Sequence, residues 1–152
     1  MKQKNRLVVS GRTDPNQPIN FTFNGKPYQG LLGDTLASAL LANGVNVVGR
    51  SFKYARPRGI VGHGPEEPNG IIQLGSGSAT VPNLKVTQVE LYEGLDAKSV
   101  NGWPSVNIDV MGLVGVFGRL MPPGFYYKTF MYPKKLWMTY EHFIRKAAGL
   151  GK

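Results

Sequence analysis

At 152 residues the chain has the length of about one domain. It contains no cysteine, which excludes a disulfide, a cysteine-ligated zinc site and an iron–sulfur cluster held by thiolates. The formal net charge of +9 favours an anionic partner, and the sequence has no apolar run of membrane-spanning length. The N-terminal run MKQKNRLVVSGR also lacks the apolar core of a secretory signal, so the expected location is the cytoplasm.

The chain is predicted to start with an extended arm over residues 1–18, whose prolines keep the backbone out of the helical region. A strand is expected at residues 19–23, because apolar and polar residues alternate there with the period of a half-buried strand. Asn24-Gly25 predicts a tight hairpin turn, since both residues tolerate positive φ. The returning strand is then expected at residues 26–31.

A helix is predicted next. Asp34 suits its N-cap, where a carboxylate can accept a free backbone N–H, and the apolar residues within 36–41 form one stripe. Asn43-Gly44 suits its end. Further strands are predicted at residues 45–48, 71–74 and 86–91. This order of elements predicts an α+β fold, with a β-grasp sheet wrapped on one helix.

Regular patterns end near residue 94, so residues 19–94 are the predicted domain and residues 95–152 an irregular, aromatic-rich extension. Prolines interrupt the extension, and eight aromatic residues lie between positions 125 and 143. Such density outside a regular fold indicates a segment that packs on a larger body. A short final helix is predicted at residues 136–148.

Residues 49–59, GRSFKYARPRG, form a basic loop in which cations alternate with two aromatic residues. Phosphate pairing and stacking would suit a nucleic acid or dinucleotide, but no recognised nucleic-acid module surrounds the loop, which favours docking on a partner protein. Glu66 and Glu67, an adjacent acidic pair, are expected to neutralise part of its charge. The candidate docking or anion-binding residues are Arg50, Lys53, Arg56 and Arg58.

The remaining motifs are weak. Residues 59–64, GIVGHG, resemble a phosphate-binding loop only superficially, because they do not link a strand to a helix. His63 lacks a converging set of ligands, since the only other histidine is His142. No catalytic, cofactor-binding or metal-binding residue is therefore predicted in this chain.

Several long runs together resemble one family: FTFNG at residues 21–25, GDTLASALLANG at 33–44, the basic loop, and PGFYYKTF at 123–130. They are similar to the N-terminal region of the alpha subunit of heterotetrameric sarcosine oxidase, over nearly the whole chain. The resemblance implies a ferredoxin-like β-grasp domain. In related amine and opine dehydrogenases that domain holds a [2Fe–2S] cluster, through cysteines placed between the positions of Arg58 and Asn83. This chain has no thiol there, so the resemblance implies a domain without a cluster.

The resemblance also implies that the chain belongs to a larger enzyme complex. Complexes of this family oxidise sarcosine to glycine and formaldehyde, with FAD, FMN, NAD and tetrahydrofolate bound outside the region that this chain covers. The chain stops near where a dinucleotide-binding domain would begin, so a fragment, a split subunit and a truncated product all remain open.

The expected function is a non-catalytic structural and assembly module of such a flavoenzyme complex. Its expected partners are the other subunits of the heterotetramer. One alternative is a basic nucleic-acid-binding protein. The other is a ferredoxin-like electron carrier, which the absence of cysteine disfavours.

Overall fold

A computed structural model of the chain describes residues 3–7, 11–51, 54–110, 112–113 and 133–147. One-turn 3₁₀ helices lie at Gly77–Ala79 and Lys134–Leu136. The helices and strands are, in chain order, β1 (Asp14–Phe23), β2 (Lys26–Leu32), α1 (Leu36–Ala42), β3 (Gly49–Arg50), β4 (Pro57–Arg58), β5 (Ile71–Leu74), β6 (Val81–Lys85), β7 (Leu95–Ser99) and α2 (Trp137–Ala147).

Five strands form one mixed sheet in the order β2-β1-β7-β5-β6. The central pair, β1 and β7, is parallel, and the other neighbours are antiparallel. Helix α1 packs its apolar side chains on this sheet. This is the β-grasp arrangement, so the predicted α+β fold class is confirmed. Strands β3 and β4 form a separate two-stranded sheet.

The first hairpin forms as its sequence predicts. Asn24 and Gly25 have φ values of 52° and 74°, the positive region that a two-residue hairpin turn requires. Phe21 and Tyr28 face each other across the two strands with ring centroids 5.7 Å apart. This cross-strand stacking supports the register of β1 on β2.

The core lies between α1 and the sheet. Leu36 and Leu40 of the helix are completely buried, whereas Leu41 is 38% exposed, so the apolar stripe is narrower than predicted. The buried apolar residues of the core are Ile19, Phe21, Phe23, Leu36, Ala37, Ala39, Leu40, Val48, Ile72, Val86, Val89, Leu91, Leu95 and Ala97.

The cap of α1 differs from the prediction. The N-cap is Thr35, whose hydroxyl accepts the Ser38 N–H at 3.2 Å. Asp34 lies one residue earlier and is buried. Its carboxylate accepts the Leu31 N–H at 2.9 Å and the Ser38 hydroxyl at 2.7 Å, and pairs with the Arg6 guanidinium. The carboxylate therefore ties the helix start to strand β2 and to the N-terminal arm.

The predicted strand at residues 86–91 is wrong, although its apolar residues are buried. The Leu36 N–H donates to the Val89 carbonyl at 2.8 Å, and the Ala37 N–H donates to the Val86 carbonyl at 3.1 Å. Residues 86–88 form a turn, and the carbonyls of Val86 and Val89 satisfy free N–H groups at the start of α1. The segment 45–48 is not a strand either, and the strands β6 and β7 were not predicted.

The sheet extends beyond the predicted range 19–94 at both ends, because β1 starts at Asp14 and β7 covers Leu95–Ser99. Part of the arm is held on the domain. The Asn5 N–H donates to the Ala42 carbonyl at 3.2 Å, and its side-chain amide donates to the Leu41 carbonyl at 3.1 Å. The division into arm, domain and extension stays a prediction.

The extension is described only in part. Helix α2 falls within the predicted range 136–148, and Glu141 pairs with Arg145 one turn later. The aromatic residues at positions 125–132 lie outside the described residues, so the predicted aromatic surface stays a prediction. Among the described residues, none of the helices has the length and hydrophobicity of a membrane-spanning segment.

Candidate docking surface

The basic loop is a short hairpin. Strands β3 and β4 pair antiparallel, with Gly49 opposite Arg58. The turn is closed by the Ser51 N–H, which donates to the Arg56 carbonyl at 3.0 Å, and by the Ala55 N–H, which donates to the Ser51 carbonyl at 2.9 Å. The hairpin therefore determines the positions of the basic side chains of the loop. The candidate Lys53 lies outside the described residues.

Arg50 is directed into the protein. Its Nε donates to the Val106 carbonyl at 2.7 Å, and its Nη1 donates to the Ala55 carbonyl at 2.9 Å. Hydrogen bonds from an ionised donor are stronger than neutral ones. Arg50 therefore joins the basic loop to the segment around Val106, which differs from its predicted role of facing a partner.

Arg56 and Arg58 are directed outward and are both exposed. The Arg56 guanidinium lies 4.8 Å from the centroid of the Tyr54 ring, within the range of a cation–π contact. The Arg58 Nη1 donates to the side-chain oxygen of Asn69 at 3.1 Å. These two arginines are the described cations of the loop that an acidic partner could contact.

Exposed apolar side chains occur in the segment that Arg50 holds. Val106 is 5% exposed, but its neighbours Trp103 and Ile108 are 66% and 70% exposed. Large apolar side chains that stay in solvent are typical of interaction surfaces when they lie together. The basic loop and residues 103–108 are therefore the candidate docking surface.

Glu67 does not neutralise the basic loop, and that prediction is wrong. Its side chain is completely buried. One carboxylate oxygen accepts the N–H groups of Val61, at 2.8 Å, and Gly62, and the other accepts those of Asn69, at 2.8 Å, and Gly70, at 3.1 Å. Burial raises the pKa of Glu67, but these N–H donors outweigh burial and hold it below its ordinary value of 4.5.

Glu66 is also bound locally. Its carboxylate accepts the N–H groups of His63 at 3.0 Å and Gly64 at 2.9 Å, and lies 3.5 Å from the exposed His63 ring. Its own backbone N–H and those two donors hold the pKa of Glu66 below its ordinary value of 4.5. The predicted counter-charge for the basic loop is therefore absent from the described contacts of both glutamates.

The glycine-rich segment 59–64 does present N–H groups to an anion, but the anions are the chain's own carboxylates. The sequence did not reveal this pairing, because glycine-rich segments were considered only as phosphate sites and the glutamates only as partners of cations. The signal was the spacing of the glycines around Glu67, which allows the backbone to approach a side chain closely on both sides.

Comparison with known proteins gives the family. Residues 16–102 match the family described as "2Fe-2S iron-sulfur cluster binding domain". The chain belongs to this family. It is 56% identical over 148 residues to the sarcosine oxidase subunit alpha of Rhizobium meliloti (strain 1021), which covers 97% of this chain. It is 37% identical over 98 residues, 62% of the chain, to the subunit of that name from Corynebacterium sp. (strain U-96).

The predicted resemblance to sarcosine oxidase alpha subunits is confirmed by these matches. The chain spans 15% of the length of the Rhizobium relative and 10% of the length of the Corynebacterium relative. A structural likeness to the L-proline dehydrogenase from P. horikoshii covers 59% of this chain and 16% of that chain, at 22% identity. The TM-score of this likeness is 0.45.

The cluster that defines the family does not fit this chain. Such clusters are held by cysteine thiolates, and the sequence has none. Among the described residues, no group of three or more histidine, aspartate and glutamate side chains could hold a metal ion. The buried Glu67 carboxylate already accepts hydrogen bonds from four backbone N–H groups.

Proposed function

We propose that this chain is a non-catalytic structural and assembly module of a sarcosine-oxidase-type flavoenzyme complex. The 56% identity over 97% of the chain to a sarcosine oxidase subunit alpha supports the setting. The absence of cluster ligands supports a structural role over electron transfer. The carboxylates of Glu66 and Glu67 accept hydrogen bonds from backbone amides, which supports a structural role for both.

The observation that carries the docking role is the outward position of Arg56 and Arg58. Both are exposed, and neither glutamate of the neighbouring acidic pair contacts them among the described contacts. Closely spaced cations repel one another unless an anionic surface faces them. The partner surface is therefore acidic, with an apolar area for Trp103 and Ile108.

The chemistry of the complex takes place elsewhere. Oxidation of sarcosine to glycine needs an electron acceptor, and we assign FAD, FMN, NAD and tetrahydrofolate to parts of the complex outside this chain. The partners of the module are then the other domains and subunits of the heterotetramer. In this arrangement the module holds an interface and contacts no substrate.

The test is assembly of the Arg56→Ala/Arg58→Ala double variant with the flavin-containing subunits on co-expression. We expect its affinity for the complex to fall by about tenfold or more, with circular dichroism unchanged. The matched control is Lys4→Ala/Lys26→Ala, which removes the same charge at exposed positions outside the loop and should assemble normally. Normal assembly of the arginine variant would contradict the docking role.

Nucleic-acid binding is the second candidate, and the stacking of Arg56 on Tyr54 favours it, since cations and aromatic rings together suit phosphates and bases. Retention of the chain on single-stranded DNA and RNA columns at rising salt distinguishes the two. Nucleic-acid binding would replace docking as the proposed function if two results are found together. The wild-type chain would bind the column with a steep salt dependence, and the double variant would lose this binding but still assemble with the flavin-containing subunits.

A further inference from the structure

Residues 61–70, the Glu67 loop, close around one buried carboxylate. The two N–H groups at the loop's start, from Val61 and Gly62, bind one oxygen, and the two near its end, from Asn69 and Gly70, bind the other. A carboxylate offers about four lone-pair sites, so these donors saturate it. The side chain thus joins the two ends of the loop.

A buried carboxylate is costly unless hydrogen bonds or a cation replace its water. Among the described contacts no cation touches the Glu67 carboxylate. The nearest described cationic contact to this residue is from Lys85, whose Nζ donates to the Glu67 backbone carbonyl. The backbone amides are therefore what compensates the negative charge, as in the anion-binding concavities formed by successive N–H groups.

Two glycines show that the backbone is built around this side chain. A Cβ on Gly62 would lie 3.0 Å from the Glu67 Cα and 3.2 Å from its N atom. A Cβ on Gly70 would overlap the Val86 Cγ1 and lie 3.4 Å from the Glu67 Cγ. Side chains at these positions would push the N–H donors away from the carboxylate.

The Glu67 loop is also hydrogen-bonded to the basic loop. Asn69 donates its N–H to the Glu67 carboxylate, and its side-chain oxygen accepts from Arg58. The Glu67 N–H donates to the Gly64 carbonyl at 3.2 Å, which adds a turn inside the loop. One carboxylate thus orders a segment that reaches the edge of the docking surface.

We propose that Glu67 is a built-in anion, which closes the loop at residues 61–70 as a bound anionic group would. The family that matches this chain is described as cluster-binding, and iron–sulfur clusters are charged groups that accept hydrogen bonds at their sulfur atoms. This chain lacks every thiolate ligand. It instead carries a covalently attached anion, so the loop orders without a cofactor. The proposal does not depend on docking.

The test is hydrogen exchange of the full chain, measured by mass spectrometry on peptides that cover residues 59–70. Gln at position 67 keeps the shape of the side chain but turns an NH₂ group toward two N–H donors. In Glu67→Gln we expect these amides to exchange about tenfold to one hundredfold faster than in the wild type. The matched control is Glu66→Gln, in which the amides of residues 61, 62, 69 and 70 should keep their protection. Unchanged exchange in Glu67→Gln would overturn the proposal.

A second variant covers the case in which Glu67→Gln does not fold. Glu67→Ala removes the carboxylate and leaves space for a small anion, so formate is the probe. We expect formate to restore folding or loop protection, and chloride at equal ionic strength not to do so. Equal behaviour in the two salts, or wild-type protection in Glu67→Ala without formate, would overturn the proposal.

Discussion

The Glu67 loop and the basic loop are neighbours in the chain and use charge in opposite ways. In the Glu67 loop the charge is buried and saturated by four backbone N–H groups. In the basic loop Arg56 and Arg58 are exposed, with a ring and a side-chain amide as their described contacts. A charged side chain is therefore structural where backbone hydrogen-bond partners surround it, and it is available to a partner protein where they do not.

Arg50 shows that the difference lies in geometry and not in sequence position. It belongs to the basic loop, yet its guanidinium donates to two carbonyls within the protein. These carbonyl oxygens compensate the positive charge of Arg50, as the backbone N–H groups compensate the negative charge of Glu67. The basic loop therefore contains one structural cation beside two outward ones, among its described residues.

The substitution with the greatest predicted loss of stability lies in the backbone of the Glu67 loop. In Gly70→Ala the added Cβ overlaps the buried Val86 side chain and displaces the Gly70 N–H from Glu67. We expect the free energy of unfolding to fall by about 3 kcal/mol, measured by urea denaturation. Gly11→Ala is the control, because no atom lies within 4 Å of its Cβ position. Equal stability of both variants would contradict the tight packing of the loop.

A smaller effect separates Arg50 from the outward cations. Arg50→Ala leaves the Val106 and Ala55 carbonyls without their charged donor. We expect a loss of about 2 kcal/mol in the free energy of unfolding, against less than about 0.5 kcal/mol for Arg56→Ala in the same loop. Thermal or urea unfolding of the two variants gives both values. A loss in Arg56→Ala as large as that in Arg50→Ala would break the distinction.

The smallest effect is a pH dependence. Because the pKa of Glu67 is held below its ordinary value of 4.5, its contribution to stability is present above pH 4.5 and is lost as the pH falls through the folded-state pKa. The stability difference between wild type and Glu67→Gln should therefore shrink as the pH is lowered below 4.5. The nearby groups Glu66, His63 and Lys85 are common to both proteins and cancel in this difference. A difference that stays constant down to pH 3 would contradict a folded-state pKa of Glu67 below its ordinary value.

The sequence predicted those parts of the fold that are set by local chemistry. The hairpin at Asn24-Gly25 forms because both residues suit positive φ, and strand β5 lies at the predicted residues. Strand β7 was missed because its apolar pattern is short and its partner, β1, lies far away in the chain. The segment 86–91 has a strand's apolar pattern, but its carbonyls bind the start of α1, which no local pattern reveals.

The sequence predicted which charged residues belong to the site, but it did not predict which groups their side chains contact. The sequence identified the cations of the basic loop and the adjacent glutamates, but opposite charges near each other in sequence suggested a pairing that does not form. Whether a charged side chain contacts a cation or the backbone depends on where loops place their N–H groups. The glycines at positions 62 and 70 allow the backbone N–H groups to approach Glu67. Their role becomes clear only when Glu67 is known to lie between them.

In this proposal Glu67 stabilises the folded domain, whereas Arg56 and Arg58 contact a partner and contribute little to folding. The most direct measurement is the free energy of unfolding of Glu67→Gln and of Arg56→Ala/Arg58→Ala, obtained for the chain by urea denaturation at pH 7. We expect a loss of about 2 kcal/mol or more for Glu67→Gln and of less than about 0.5 kcal/mol for the arginine pair. Equal losses, or a larger loss for the arginine pair, would contradict it.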